Sequence, residues 1–539
     1  MSYQITCPYC FETMMDDEVL FRSERVSLKD ESPLPDDYND LEDFKARYKG
    51  ADKAALLEKI EEWEFFLPRE DPVYQSFWHP FGGTTEHDEA DFARKIPSAW
   101  RRRILDPENP QHQRYLKKQP RRAGSPEEQE GNPYFIRDEK GNAEQLQLRW
   151  DNAFFRGRCE RRVCRYCHNP LPVDYGKNPV KFATVIGITG AGKTVYLSQL
   201  LREIRKYAKR VKLDAKPSGS ANDFLEQNPV AAGKPLPAST SSDRLQQPLF
   251  FELASNGLGM SKENKTFVLY DVAGEIFSGS PQRVQQVAPY IEHADGLIVL
   301  IDPLQFESIS SLTPDGETRA EPTKALETIH KIICRESDRL CSTPVAICVS
   351  KADNPSVQRV LPDELRRLLL EDVHSVLDSQ NSPLRLFNAG EYNPIAQLLN
   401  GFFEANAEEL ANSMKTNYSN YDYFAFTSLG CDVTQQEWEN GERYSTPVGP
   451  VLPKRIEEPL LWLFYQLGYI GLPQGQEIFS PAVKVVYCPE CGSDQTYELP
   501  EEERWATVRK LFRTKMLYQD RCCTACGCRW DSSGKGGAQ

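Results

Sequence analysis

A glycine-rich segment is the clearest chemical signal in this chain. Residues 187–194 read Gly-Ile-Thr-Gly-Ala-Gly-Lys-Thr, which matches the spacing G-x-x-x-x-G-K-[ST]. Glycines let the backbone approach an anion closely, and the free amides at the start of the following helix bind phosphate. Lys193 could then reach the β- and γ-phosphates, and the Thr194 hydroxyl could bind Mg²⁺. We therefore expect phosphate contacts from Gly187, Gly190, Ala191, Gly192, Lys193, Thr194 and Val195.

Two further segments indicate which base is bound. Asp271 ends an apolar strand, where a carboxylate can hold Mg²⁺ through water, and the Gly274 amide could sense a γ-phosphate. A second apolar strand ends in the segment Ser350, Lys351, Ala, Asp353. The Asp353 carboxylate could accept from both N1–H and the 2-amino group of guanine, a pair that adenine lacks. Lys351 could lie along the base or brace the phosphate loop.

Alternating strands and helices must position these segments. Apolar strands are predicted at 182–186, 248–253, 266–270, 296–301, 344–349 and 423–427, with helices near 195–207, 320–338, 362–379, 398–414 and 457–467. This alternation predicts an α/β fold with a mainly parallel sheet covered on both faces. Residues 212–245 are polar and rich in Pro, Ser, Ala and Gly, which predicts a loop.

Four Cys-x-x-Cys pairs stand outside this region. Near the C-terminus, Cys488/Cys491 and Cys523/Cys526 are each followed by glycine and lie about thirty residues apart. Four thiolates at this spacing predict a closed tetrahedral Zn²⁺ site with a structural role. Cys522 and Cys528 are alternative ligands beside the second pair.

The N-terminal pairs are Cys7/Cys10 and Cys164/Cys167. A second structural Zn²⁺ site follows if the residues between them, about 11–158, are an insertion between two knuckles. Alternatively, each pair could find another partner or be redox-active. Cys159 and His168 are further possible ligands.

Length and charge set the wider frame. A chain of 539 residues exceeds a single core, and we predict a zinc-ribbon module over 1–178, a nucleotide-binding domain over 179–478 and a second zinc ribbon over 479–539. The net charge of −14 argues against a surface devoted to nucleic acid. Cysteine pairs suited to zinc, with no predicted membrane span or secretory signal, favour the reducing cytoplasm.

The ordered set Gly187–Thr194, Asp271–Gly274 and Ser350–Asp353 resembles the TRAFAC-class, Ras-like P-loop GTPases over roughly 180–470. The resemblance implies GTP/GDP and Mg²⁺ as ligands, with Thr194, Asp271 and a switch I threonine at the metal. Thr240 fits that threonine, and Ser239, Ser241 and Ser242 are near-equivalent candidates. It also implies a base-contacting loop at Ser428 and Leu429.

One residue departs from the family pattern. Ras-like proteins usually carry Gln after Asp-x-x-Gly to orient the attacking water, and this chain has Glu275. A carboxylate cannot donate to the phosphoryl oxygens and repels them. We therefore expect slow intrinsic hydrolysis that needs an activator or dimerisation.

The expected function is a regulatory GTPase whose zinc ribbons dock protein effectors or activators. The layout resembles zinc-ribbon GTPases of bacterial multi-component defence systems. One alternative is a P-loop ATPase with Asp302 as its Walker B acid. Another is a non-enzymatic scaffold with structural GTP that binds nucleic acid through the ribbons and the basic 94–122 stretch. The sequence leaves the oligomeric state open.

Overall fold

A computed structural model gives the architecture of the chain. It describes residues 4–22, 71–81, 104–113, 116–119, 132–137, 143–147, 158–159, 161–172, 175–188, 190–210, 213–217, 220–237, 247–255, 265–278, 284–285, 288–306, 309, 322–334, 340–371, 387–438, 443–482, 490, 496–499, 505–510, 513–519 and 521–530. Within these ranges, no helix is long and apolar enough to cross a membrane.

The N-terminal part consists of short strands in small antiparallel sheets. The strands are β1 (Gln4–Thr6), β2 (Thr13–Met15), β3 (Leu20–Arg22), β4 (Ile104–Leu105), β5 (Phe135–Arg137), β6 (Ala143–Gln147), β7 (Arg158–Cys159) and β8 (Arg161–Val163). β1 pairs with β2, β3 lies between β4 and β8, and β6 lies between β5 and β7. Residues far apart in sequence thus meet in one module, because β3 and β8 pair directly.

A seven-stranded sheet forms the centre of the molecule. Its strands are β9 (Val180–Gly187), β10 (Leu213–Pro217), β11 (Leu249–Ser255), β12 (Lys265–Ala273), β13 (Gly296–Ile301), β14 (Val345–Val349) and β15 (Tyr421–Ala425). The order is β10-β11-β12-β9-β13-β14-β15, and the pairs from β12 to β15 are parallel. The predicted α/β fold with a mainly parallel sheet is confirmed, with two antiparallel pairs at one edge.

Helices that follow β9 cover both faces of this sheet, whereas the two helices before it belong to the N-terminal part. The helices are α1 (Pro72–Trp78), α2 (Pro110–Gln113), α3 (Lys193–Arg210), α4 (Ser220–Gln227), α5 (Pro322–Ile333), α6 (Pro355–Val360), α7 (Asp363–Leu370), α8 (Ala389–Asn406), α9 (Glu408–Asn417) and α10 (Glu458–Gln466). Alternate residues of β12 join different buried clusters, as expected for a strand covered on both sides. Leu269 packs with α3 and α10, whereas Tyr270 packs with α5 and with the N-terminal module.

The loop predicted over 212–245 is wrong for part of its length. β10 and α4 occupy 213–217 and 220–227. β10 pairs antiparallel with β11 from Leu213↔Ser255 to Pro217↔Phe251. A strand at a sheet edge depends on its partner more than on its own composition, so the polar local sequence concealed it.

The C-terminal third adds short antiparallel strands. They are β16 (Asp432–Glu437), β17 (Arg443–Val448), β18 (Thr496–Glu498), β19 (Trp505–Lys510), β20 (Arg513–Tyr518), β21 (Arg521–Cys523) and β22 (Arg529–Trp530). β16 pairs with β17 and β19 with β20, while β21 lies between β18 and β22. β21 therefore carries Cys523 into a three-stranded sheet.

Candidate nucleotide site and cysteine centre

The glycine loop lies between the end of β9 and the start of α3. Gly190 and Gly192 have φ of +80° and +73°, a region that side chains with a Cβ rarely adopt. A Cβ on Gly187 would lie 2.6 Å from the Cβ of Lys193, so this position also requires glycine. The Ile188 amide donates to the Leu300 carbonyl at 3.0 Å and ties the loop to β13. The backbone is thus shaped to approach an anion.

Lys193 and Asp271 meet at this loop. The Lys193 Nζ lies 2.7 Å from Asp271 Oδ1, and the two side chains are 7% and 4% exposed. Gly274 packs against the same loop, because a Cβ there would collide with the Gly187 carbonyl oxygen. The residues expected at the phosphates and at Mg²⁺ are therefore adjacent, with opposite charges paired in a buried position. Thr194 is partly buried at the same helix start.

Lys351 connects the segment expected to contact the base with the glycine loop. Lys351 adopts a positive φ of 54°, and its Nζ donates to Asp302 Oδ2 at 2.9 Å. Its Cε lies 4.0 Å from where a Cβ on Gly192 would be, so the chain of Lys351 runs beside the phosphate loop. Ser350 Oγ donates to the Ile301 carbonyl at 3.2 Å and anchors the segment to β13.

Asp353 meets the loop that follows β15. The Gly430 amide donates to Asp353 Oδ2 at 3.1 Å, and the Ala352 amide donates to the Phe426 carbonyl at the same distance. Burial raises the pKa of the Asp353 carboxyl, while hydrogen bonds from its own backbone, from Gly430 and from Thr427 oppose that rise. Ser428 and Leu429 are partly exposed in this loop. The two segments expected to hold the base are thus in contact.

Asp302, the acid of the ATPase alternative, has two contacts of its own. Its Oδ1 accepts from the Leu304 amide at 3.1 Å and caps a short 3-10 helix, Pro303–Gln305. Its Oδ2 accepts from Lys351. The lysine of the glycine loop pairs instead with Asp271.

Some predicted residues lie outside the described part. These are Thr240 and its neighbours Ser239, Ser241 and Ser242. The side chain of Glu275 is also outside it, although its backbone belongs to a 3-10 helix, Gly274–Ser278, directly after β12.

A hairpin beside the base loop was missed by the sequence reasoning. Strands β16 and β17 pair from Asp432↔Val448 to Glu437↔Arg443. The Gly233 and Leu236 amides donate to the Pro447 and Ser445 carbonyls at 3.0 and 2.8 Å, which joins segment 231–237 to β17. The missed signal is the Asn-Gly dipeptide at 440–441, which favours a tight hairpin turn.

The two N-terminal cysteine pairs come together. Sγ atoms of Cys7, Cys10, Cys164 and Cys167 all lie within 4.8 Å of one another. Cys7 to Cys167 and Cys10 to Cys164 are both 3.7 Å. Four thiolates around Zn²⁺ at about 2.3 Å would be about 3.8 Å apart in a tetrahedron, so the donor set fits zinc.

Ionisation of this cluster favours a bound cation. Burial raises the pKa of the Cys7 and Cys167 thiols, whereas hydrogen bonds, first from Cys10, lower that of Cys164. Four adjacent thiolates would repel one another in a buried site unless a divalent cation compensated their charge. Within the described residues, the metal-type cluster includes neither Cys159 nor His168. His168 Nδ1 lies 2.7 Å from Asp71 Oδ2 instead.

Three cysteine turns share one backbone geometry. In each turn, the amide of the first cysteine donates to the carbonyl of the residue five positions later, and the carbonyl of that cysteine accepts from the amide four positions later. The partners are Glu12 and Phe11 for Cys7, Asn169 and His168 for Cys164, and Cys528 and Gly527 for Cys523. Phe11, His168 and Gly527 all have positive φ. The match favours Cys523 over Cys522 as a ligand.

One half of the predicted C-terminal zinc site lies in the described part of the chain. Cys523 is buried and Cys526 is exposed. Among the described residues, the metal-type cluster contains neither of them, and a tetrahedral four-cysteine site needs a second turn. The C-terminal site therefore stays a prediction. The expected second turn, Cys488 and Cys491, lies outside the described residues.

The strand order, the glycine loop and the paired lysine and aspartate define an α/β nucleotide-binding domain of the P-loop class. Residues 181–402 match the family described as Double-GTPase 2. The match spans less than half of the chain, and it confirms the resemblance to TRAFAC-class P-loop GTPases for that part. No curated protein matches the chain.

Several solved structures are similar to the chain. The S. cerevisiae Ski7 GTPase-like domain bound to GTP is 12% identical, covering 64% of this chain and 57% of its own, with a TM-score of 0.26. The signal recognition particle receptor SRb-GTP/SRX complex from Chaetomium thermophilum is 16% identical, covering 48% and 94%, with a TM-score of 0.22. Sup35 complexed with GDP is 11% identical, covering 47% and 38%, with a TM-score of 0.19. The chain thus spans less than two thirds of the Ski7 and Sup35 chains.

Proposed function

We propose that this chain is a GTP-binding switch that hydrolyses GTP slowly to GDP and phosphate. The observation that carries the proposal is the position of Asp353. Its carboxylate is held by the Gly430 amide, at the end of a segment whose lysine reaches the glycine loop. A carboxylate there offers two acceptor oxygens to the two adjacent donors of guanine, and adenine presents no such pair.

Phosphate and metal binding are assigned to the opposite end of the site. Lys193 would bind the β- and γ-phosphates, and Thr194, Asp271 and a switch I threonine would hold Mg²⁺ directly or through water. The buried ion pair of Lys193 and Asp271 supports this assignment. On binding, Lys193 would exchange the carboxylate for a phosphate, and Asp271 would exchange the ammonium group for Mg²⁺. A nucleotide with Mg²⁺ supplies both ligands at once.

The ATPase alternative is less well supported. It needs Asp302 as the acid near the metal, and Asp302 caps its own 3-10 helix and pairs with Lys351. Asp271 contacts the loop lysine. We therefore assign the metal-holding role to Asp271.

Slow turnover follows from Glu275. Glu275 directly follows Gly274, which packs on the glycine loop. In Ras-like proteins the residue at this place in the motif orients the attacking water. A negative side chain there would raise the barrier by repelling the phosphoryl oxygens. A protein activator or a second copy would then set the rate.

Zinc and partner binding complete the proposal. The N-terminal four-cysteine centre would hold structural Zn²⁺. The C-terminal turn of Cys523 and Cys526 would supply half of a second site, and the exposed Cys526 would become buried when Cys488 and Cys491 complete it. We propose that the two modules dock protein effectors in the cytoplasm, as the layout shared with bacterial defence GTPases implies.

Nucleotide competition tests the proposal. Fluorescent GTP bound to the wild type should be displaced by GTP and GDP and not by ATP. Asp353→Ala should lose GTP binding, and Asp302→Ala should keep it. Tight ATP binding that survives Asp353→Ala would reject the guanine assignment in favour of the ATPase.

A further inference from the structure

The first cysteine turn packs directly on the strand that carries Asp271. The Tyr270 hydroxyl donates to the Pro8 carbonyl at 2.8 Å, and Pro8 lies between the two cysteines of the turn. The Phe11 ring lies 5.8 Å from the Tyr270 ring and stacks on His293 at 4.6 Å. Tyr270 is 1% exposed, so this contact is part of the core.

Tyr270 also contacts the segment that follows the metal-binding strand. Its ring stacks on Tyr290 with centroids 4.5 Å apart and an interplanar angle of 5°. Tyr290 belongs to the short 3-10 helix Pro289–Ile291, which lies after the Gly274–Ser278 turn. The Tyr270 side chain therefore contacts both the cysteine turn and Tyr290, and Tyr270 directly precedes Asp271 in the chain.

Asp271 follows Tyr270 on the opposite face of β12. Its backbone is paired with Val185 of β9, and its side chain reaches Lys193. Tyr270 and Asp271 are joined by one peptide unit, so a shift of the β12 backbone at Tyr270 would also move the Cα of Asp271. Contacts that hold Tyr270 on one face therefore help to set the position from which the Asp271 side chain extends on the other.

We propose that the Cys7–Phe11 turn, when its cysteines bind metal, positions Asp271 for Mg²⁺ through Tyr270. This inference rests on the proposed function, because it concerns the Mg²⁺ of the bound nucleotide. Tyr270 is a positioning residue and does not touch the ligand. A metal ion would cross-link Cys7 to Cys167, whose Sγ atoms lie 3.7 Å apart, and would thereby restrain the turn that carries the Pro8 carbonyl.

The test separates Mg²⁺ binding from nucleotide binding. Affinity for fluorescent GTP is measured without added Mg²⁺, in a buffer free of chelators that would remove zinc, and then as a function of Mg²⁺ concentration for the wild type and Tyr270→Phe. We expect unchanged affinity without Mg²⁺, and a half-maximal Mg²⁺ concentration raised at least about threefold in the variant. A role in folding alone would change both measurements or neither.

Tyr175→Phe is the matched control. The Tyr175 hydroxyl donates to the Thr6 carbonyl at 2.7 Å and is as deeply buried, so it tethers the same N-terminal segment. It is not adjacent to Asp271. We expect a similar loss of thermal stability from both variants and an unchanged Mg²⁺ dependence in Tyr175→Phe. Equal shifts in the two variants would overturn the proposal.

Metal removal provides a second arm that needs no variant. A zinc-selective chelator that leaves Mg²⁺ free should release zinc, measured by atomic absorption, and raise the half-maximal Mg²⁺ concentration of the wild type. The same treatment should add little in Tyr270→Phe, because the two changes break one connection. A Mg²⁺ dependence indifferent to zinc release would refute the coupling. Absence of any guanine-nucleotide binding, with or without Mg²⁺, would instead reject the proposed function and this inference with it.

Discussion

The buried ion pair between Lys193 and Asp271 leads to a quantitative prediction. Replacing Lys193 with Met removes the cation and leaves the Asp271 carboxylate, which is 4% exposed, without its partner at 2.7 Å. In nucleotide-free protein, no phosphate or Mg²⁺ compensates for this loss. Lys193→Met should therefore destabilise the nucleotide-free chain strongly.

The geometry sets the size of the effect. Two unit charges 2.7 Å apart attract by about 6 kcal/mol at an effective dielectric constant of 20. Desolvation offsets much of this attraction, and removing one partner of a buried pair typically costs about 3–5 kcal/mol. For a domain of this size, that corresponds to a melting temperature lower by roughly 10 °C. Asp271→Asn should cost a similar amount, and the double variant should cost clearly less than the sum of the two.

Thermal unfolding in EDTA without nucleotide is the assay. The control is Lys181→Met, since Lys181 pairs with Asp295 but the two side chains are 37% and 25% exposed. An exposed pair contributes at most about 1 kcal/mol, so this variant should melt within a few degrees of the wild type. If Lys193→Met melts like Lys181→Met, or the double variant is additive, the buried pair does not carry the stability assigned to it.

Four further predictions concern other parts of the chain. Asp353→Asn replaces an acceptor oxygen with an amide donor, so GTP affinity should fall by roughly 100-fold. Xanthosine triphosphate, which has a carbonyl at position 2, should bind better to this variant. Competition binding that still shows a preference for guanine would contradict this prediction. Guanine binding needs the ionised Asp353 carboxylate, and burial raises the pKa of that carboxyl. On acidification, the GTP affinity of the wild type should therefore begin to fall at a higher pH than it would for an ordinary aspartate. The GTP affinity of Asp353→Asn should not change over the same pH range. Glu275→Gln should speed single-turnover hydrolysis roughly tenfold, because the amide can donate to the phosphoryl oxygens, and an unchanged rate would remove the explanation for slow turnover. Elemental analysis should find two zinc ions per wild-type chain, and one zinc ion per chain in Cys10→Ser and in Cys526→Ser. Two zinc ions in Cys10→Ser would exclude the N-terminal centre. Two zinc ions in Cys526→Ser would show that Cys526 is not a ligand.

Local patterns were sufficient for much of the site. The glycine loop was readable because positive φ at Gly190 and Gly192 and the preceding apolar strand are local requirements. The sequence pointed to Asp271 and Asp353 because each lies close to the carboxyl end of an apolar strand, and parallel strands end at the same edge of a sheet. In the structure Asp271 is still within β12, and Asp353 follows β14. Each of these inferences depends on neighbours a few residues away.

Other features depended on contacts that local sequence does not report. β10 was concealed because its stability comes from pairing with β11, more than thirty residues later. The hairpin formed by β16 and β17 was overlooked although Asn-Gly marks its turn, and its hydrogen bonds to segment 231–237 could not be read from either segment. Cysteine spacing likewise does not report that Cys523 is buried and Cys526 is exposed.

Sequence patterns alone predicted the parts of the site: a glycine loop for phosphate, an acid expected at the metal, an acid expected at guanine and cysteine pairs suited to zinc. Tertiary structure decided how these parts meet. It brought Cys7 to Cys167 across 160 positions, placed the Pro8 carbonyl on Tyr270 and paired Lys193 with Asp271. The reason is physical: backbone conformation and motif spacing are set by adjacent residues, whereas the packing of one module on another is set by surfaces assembled from distant parts of the chain.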